Sequence, residues 1–167
     1  MPIPDALQAV FSTLNIAPIC HEHPPLMTSD DAAVHWDRLD GCQVKNLFLK
    51  DAGGQLWLVV LPCDPMVDTK VLATIIGSKR ISFGGAGLLL EVLGVTPGSV
   101  TPLAMMHDRD HKVRLVLHAN ILQSRSLLVH PLINTATVEL QPADLLRFLA
   151  YHHVTPQVLD LSPAFRT

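Results

Sequence analysis

A chain of 167 residues, 49% apolar and only 16% charged, is long enough to bury one sizeable core and too apolar to stay disordered. Its net charge of -3 excludes a strong non-specific hold on nucleic acid, DNA above all, so any RNA partner must be gripped locally by a few cations. Cys20, Cys42 and Cys63 form no C-x-x-C, no basic-then-apolar leader opens at Met1, and no uncharged run reaches about 18 apolar residues. A disulfide framework, a cysteine zinc site and a membrane span are thereby excluded, and the expectation is a soluble, cytoplasmic, monomeric protein.

In chain order, Ile3, Leu7, Val10, Phe11 and Leu14 recur at helical spacing and predict an amphipathic helix near residues 4–14. Residues 18–26 read as extended. Thr28 with Asp31 resembles a capping box for a second helix to about Leu39, ended by Gly41. Lys45 to Lys50 and Leu56 to Leu61 are apolar runs joined by Asp51-Ala-Gly-Gly54, a hairpin pattern. Asp68 caps a helix carrying Val71, Leu72, Ile75 and Ile76, with Gly77 after its last turn. Arg80 to Phe83 is a short strand, and Ala86 to Leu93 a helix stopped by Gly94. Pro97-Gly98 marks a turn, and Val100 to Met106 a further strand or extended loop. Val113 to Leu117 is a strand, Val129 to Leu140 contains another, and Pro142 opens a last helix through Tyr151. The tail from Thr155 shows no strong pattern. Helices and strands mix without strict βαβ alternation, and no linker or repeat divides the chain. The fold class is α+β, a single domain with a curved mixed sheet surrounded by helices.

Little of the usual catalytic vocabulary is present. Nine histidines include His21-x-His23, His107-x-x-x-His111 and His152-His153, but none completes a metal set such as H-E-x-x-H, so neither a metal nor a cofactor is expected. There is no G-x-S-x-G and no cysteine in a catalytic context. Gly84-Gly85-Ala86-Gly87 precedes a helix and can either cradle a phosphate or simply make a tight turn. What stands out is Lys45-Asn46 at the mouth of an apolar strand, where packing explains neither residue. His130, beside Pro131 at a strand's edge, repeats the arrangement, and Arg80 adds a cation. The candidate site is built from Lys45, Asn46, Arg80 and His130.

Four stretches now form a set: Lys45-Asn-Leu-Phe-Leu-Lys-Asp51, Asp68-Thr-Lys-Val-Leu72, Leu93-Gly-Val-Thr-Pro-Gly-Ser-Val-Thr-Pro102 and His130-Pro-Leu-Ile-Asn-Thr-Ala-Thr137. In order and spacing they resemble the YbaK/prolyl-tRNA synthetase-associated editing domain family, from about His21 to Leu149. Within it the chain is most similar to freestanding prolyl-tRNA editing proteins, which deacylate alanine mischarged on proline tRNA. The resemblance implies a barrel-like curved mixed sheet with its site in a cleft, a metal-free aminoacyl-tRNA deacylase, mischarged tRNA(Pro) as partner and prolyl-tRNA synthetase as a second partner. It places Lys45 and His130 as catalytic residues. Lys45 is the motif lysine that holds the terminal phosphate or the amino-acid end, and Asn46 follows it. His130 opens the segment whose backbone amides approach the ester carbonyl. Gly84 and Gly85 are candidate phosphate-binding positions. Met27 and Ile81 are candidates to narrow an amino-acid pocket, with plain core as the alternative for both. The chain departs from the family pattern at His118-Ala119-Asn120, where many members carry an aspartate-rich strand end, and before His130, where a common glycine is missing. Release of cysteine or serine, or a non-catalytic tRNA-binding role, are the alternative functions.

Overall fold

The computed structural model describes residues 3–25 and 41–166. Helix α1 (Asp5–Thr13) buries Leu7 and Phe11, two of the positions that the helical spacing marks. Strand β1 (Ile19–Glu22) is the extended segment after it. The helix expected from Thr28 to Leu39 lies outside the described residues.

β2 (Cys42–Asp51) and β3 (Leu56–Pro62) form the expected hairpin, antiparallel from Val44↔Pro62 to Lys50↔Leu56. Asp51 fastens its turn. One carboxylate oxygen accepts from the N–H groups of Gly53 and Gln55 at 2.9 and 3.0 Å, and the other from the Trp57 indole at 3.2 Å. After β4 (Met66–Val67), the Asp68 side chain caps helix α2 (Thr69–Ile76) by accepting from the N–H groups of Lys70 and Val71. β5 (Ile81–Phe83) and helix α3 (Ala86–Leu93) follow within the predicted bounds.

The stretch from Val100 to Met106 is not a strand. Residues Pro102–His107 form a 3-10 helix, because Thr101 caps it by accepting from the Leu103 N–H and Pro102 fixes the first helical φ. β6 (Val113–His118) matches expectation. The segment from Val129 to Leu140 contains β8 (Ala136–Leu140) as expected, and a further strand, β7 (Leu127–Val129), ends at its first residue. Helix α4 (Pro142–Tyr151) opens on its proline. The tail without a pattern supplies β9 (Gln157–Leu159) and β10 (Phe165–Arg166), too short to show alternation in sequence.

Among the described residues, eight strands make one mixed sheet in the order β1-β8-β7-β2-β3-β6-β9, with β5 also on β2. β2/β7, β3/β6 and β6/β9 are parallel; the other pairs are antiparallel. β3 is buried on both faces. Leu56, Leu58 and Val60 join a core with Phe11 of α1, Leu93 of α3 and Phe148 of α4. Trp57, Val59 and Leu61 join a second core with Leu49, with Leu72 and Ile76 of α2 and with Leu161. No helix among the described residues is long and apolar enough to cross a membrane.

The C-terminal segment is tied down by His118, at the end of β6. Its buried Nδ1 accepts from the Leu161 N–H at 3.0 Å, and its ring meets Phe165 edge-on at 5.0 Å. Burial holds this imidazole below its ordinary value, against the opposing pull of Asp160 and of a hydrogen bond at Leu159. A depressed folded value means that the contribution is complete above the ordinary value of 6.5 and is lost as pH falls through the folded one. Protonation also removes the lone pair that Leu161 uses. The expected outcome is that hydrogen exchange at the Leu161 amide, corrected for intrinsic rates, shows a lower opening free energy at pH 5 than at pH 7.5. Equal values at both pH values would contradict this role.

Candidate active site

β2 shares its two edges unequally. One edge pairs with β3 along most of its length. The other pairs with β7 only at Cys42 and Gln43, and with β5 only from Leu49 to Asp51. Between them, from Lys45 to Leu47, no strand among the described residues meets that edge. The Cys42 N–H donates to Ser126 at 2.9 Å and the Gly84 N–H donates to the Phe48 carbonyl at 2.9 Å, both on this side. Strand alternation then points the Asn46 N–H and C=O into the same opening.

Lys45 and His130 flank it. The parallel register sets Gln43 beside Leu128 in its last pair; continued by two residues, it would bring Lys45 level with His130. Leu127 and Val129 point into the first core, so Leu128 and His130 take the other face, as Lys45 does opposite Val44. The Lys45 ammonium donates to the Pro65 carbonyl. Burial lowers it from its ordinary value, against the pull of Cys63 and Asp64. His130 Nδ1 lies 3.4 Å from the Ala136 carbonyl, which can only accept, so Nδ1 carries the proton and Nε2 is the ring's acceptor nitrogen. Burial holds this imidazole below its ordinary value; the Ala136 carbonyl opposes the shift and His23 adds to it. Burial thus favours the neutral imidazole at His130.

The same face of the sheet carries residues that sequence reasoning did not assign to the site. His23 Nδ1 donates to the Pro24 carbonyl at 2.9 Å, which leaves Nε2 to accept from the buried Thr137 hydroxyl at 2.8 Å. His21 Nε2 pairs with Glu139 at 3.0 Å. The signal was the His21-x-His23 spacing, which in a strand puts both rings on one face. Among the described residues no three His, Cys, Asp or Glu side chains converge as metal ligands.

The structure separates other members of the expected set. Asn46 points its side chain to the face opposite Lys45. Its Nδ2 donates to the Val100 carbonyl at 3.1 Å, and its Oδ1 is buried without a partner among the described residues. Arg80 and Ile81 sit at the far end of β2, where Ile81 pairs with Asp51, six residues or about 20 Å from Lys45. Ile81 packs against the second core there. Arg80 and Ile81 are thus not brought to Lys45 and His130. Met27 lies outside the described residues. Gly84 and Gly85 are at the other lip of the opening, but the Gly84 N–H is committed to Phe48 and is not available to a phosphate.

The chain belongs to the aminoacyl-tRNA editing domain family, whose model matches residues 23–148. It is 36% identical over 156 residues to the prolyl-tRNA synthetase associated domain-containing protein 1 of Danio rerio, covering 92% of this chain and 85% of that one. It is 35% identical over 162 residues to the prolyl-tRNA editing protein ProX of Acetoanaerobium sticklandii, covering 94% and 98%. A solved structure described as a candidate trans-editing enzyme for prolyl tRNA synthetase shares the fold, with a TM-score of 0.72 at 20% identity over 96% of this chain and 97% of that one.

The two glycines differ in what they tolerate. A Cβ on Gly84 would lie 2.4 Å from the Phe48 ring, whereas one on Gly85 meets nothing within 4 Å. Gly84→Ala is expected to destabilise the protein by about 1–3 kcal/mol through overpacking, and Gly85→Ala by less than about 0.5 kcal/mol. Urea unfolding of both variants checks this; equal midpoints would contradict it.

Proposed function

We propose that this protein is a trans-acting deacylase that clears mischarged tRNA(Pro), with alanyl-tRNA(Pro) as its principal substrate. The observation that carries the reading is the stretch of β2 that no strand among the described residues pairs, with the Asn46 peptide turned into it and the β7 register leading toward His130 on the face of Lys45. The names of the relatives at 35% and 36% identity support the prolyl connection.

An aminoacyl ester is already activated, so its hydrolysis asks for little. In this reading the ester carbonyl lies against the Asn46 N–H, which stabilises the developing oxyanion. A donor so placed is worth about 100- to 1,000-fold in kcat. The Lys45 ammonium exchanges the Pro65 carbonyl for the terminal phosphate or the amino-acid end and fixes the RNA as a point charge. His130 Nε2 accepts a proton from water as its oxygen bonds to the carbonyl carbon. The ester C–O bond then breaks, the proton passes to the ribose oxygen with the neighbouring 2′-hydroxyl assisting, and free alanine and tRNA leave. No step calls on a metal.

Selectivity arithmetic supplies the need. A synthetase pocket built for proline gains only about 1–3 kcal/mol against a side chain lacking methylenes, so alanine is charged in error. A second site that admits alanine and excludes proline by size corrects it. Prolyl-tRNA synthetase is the natural source of the mischarged RNA and so the partner in this cycle.

The test is deacylation of a panel of tRNAs carrying alanine, cysteine, serine and proline. Alanyl-tRNA(Pro) is expected to turn over fastest and prolyl-tRNA(Pro) not at all. Lys45→Ala is expected to lose about 100-fold or more with an unchanged unfolding midpoint. Wild-type turnover in that variant would remove Lys45 from the mechanism, and preferred release of cysteine or serine would replace the assigned substrate.

A further inference from the structure

A second hollow opens on the Lys45 face of the sheet, between α2 and the segment from Ser78 to Ile81, with a volume of about 380 Å³. Lys70, Lys79 and Arg80 bring three cations to its wall, Thr69, Thr74 and Ser78 bring three hydroxyls, and no carboxylate among the described residues lines it. In a chain of net charge -3 with twelve Lys and Arg, a quarter of the cations meet here. None of the three takes part in an ion pair among the described residues. The nearby Asp51 carboxylate accepts from Gly53, Gln55 and Trp57 and from the Lys79 backbone N–H, but makes no ion pair with the Lys79 ammonium. The hollow presents positive charge that no carboxylate among the described residues pairs with, and so attracts an anion.

Beside it stands Phe83, 68% exposed. Its register partner is Leu49, so it projects from the same face of the sheet as Lys45, four residues or about 13 Å along β2. Its strand-mate Ile81 borders both the second core and the hollow. Phe83 lies between a cationic hollow and a candidate ester site and joins neither core among the described residues. It has the form of a stacking platform of the kind that single-stranded RNA uses.

We propose that Phe83 and the hollow of Lys70, Lys79 and Arg80 are a second RNA contact, in which the ring stacks on an unpaired base near the acylated end and the hollow takes a backbone phosphate further along. This rests on the preceding functional reading for the position of the RNA terminus. The spacing suits it: about 20 Å from Lys45 to the hollow corresponds to on the order of six stacked nucleotides at about 3.4 Å each. A strand leaving the ester passes the ring first and meets the cations where its stem begins. Phosphate contacts of this kind position the RNA without reading its sequence, so tRNA identity must be read elsewhere.

The experiment is fluorescence anisotropy with a labelled, uncharged RNA hairpin ending in a single-stranded CCA, between 50 and 200 mM salt, alongside the deacylation assay. The variants are Lys70→Gln with Lys79→Gln, and Phe83→Ala, each checked for a wild-type unfolding midpoint; Phe83→Leu replaces Phe83→Ala if the latter unfolds. The double glutamine variant is expected to weaken binding and reduce the slope of log K against log salt by about 1 to 2. Phe83→Ala is expected to weaken binding about tenfold on the CCA hairpin and to have no effect on a blunt one. Folded variants with wild-type affinity and slope would overturn the proposal, as would a wild-type protein that does not bind the hairpin. If the wild type deacylates and these variants keep its KM, this inference falls and the deacylase reading stands. If no mischarged tRNA is hydrolysed but the binding losses appear, the reverse holds.

Discussion

Everything that can be said of the site follows from how one strand's edge is divided. β2 gives one side to β3 and splits the other between β7, which is parallel, and β5, which is antiparallel. A backbone edge left between two partners keeps its hydrogen-bonding groups directed outward, and buried peptide groups demand partners. In the function proposed above, substrate meets that demand. The division also fixes which residues face one another, because the short parallel register with β7, continued past Gln43 and Leu128, leads His130 toward Lys45. Moving either strand by one residue would send one of these side chains to the opposite face.

The two cores make that edge rigid. β3 is apolar on both faces and sits between them, so the hairpin that carries Lys45 is clamped from above and below. The Asp51 turn, with its backbone and indole donors, closes the far end. A site built on a strand so held has little freedom to lose on binding, which suits a reaction that depends on orientation rather than on a strong nucleophile.

Much of the fold was legible in the sequence because local chemistry decides it. Asp68, Gly77, Gly94 and Pro142 end or begin helices by capping and by fixed φ, and each does so where the residue types predict. The 3-10 helix at Pro102 has a local signal, since Thr101-Pro102 is a cap followed by an N1 proline, but the apolar run Val100 to Met106 reads as a strand or extended loop when that pair is passed over. The site was legible in part. Lys45 and His130 stand out as polar groups at the mouths of apolar strands, yet period-two alternation already separates Lys45 from Asn46. Arg80 lay out of reach for another reason: its position depends on which end of β2 takes β5, a long-range pairing that local pattern does not carry. His23 and Thr137 join the polar face only through the β1–β8 pairing, which is equally non-local.

The central claim is that Lys45 and His130 act on one ester across the divided edge of β2. A double-mutant cycle on kcat/KM for alanyl-tRNA(Pro), using Lys45→Ala, His130→Ala and both together, tests it most directly. Two groups serving one transition state are expected to be strongly non-additive, the double variant falling little below the worse single one. Losses that simply multiply would mean that the two side chains act independently, and would contradict the account.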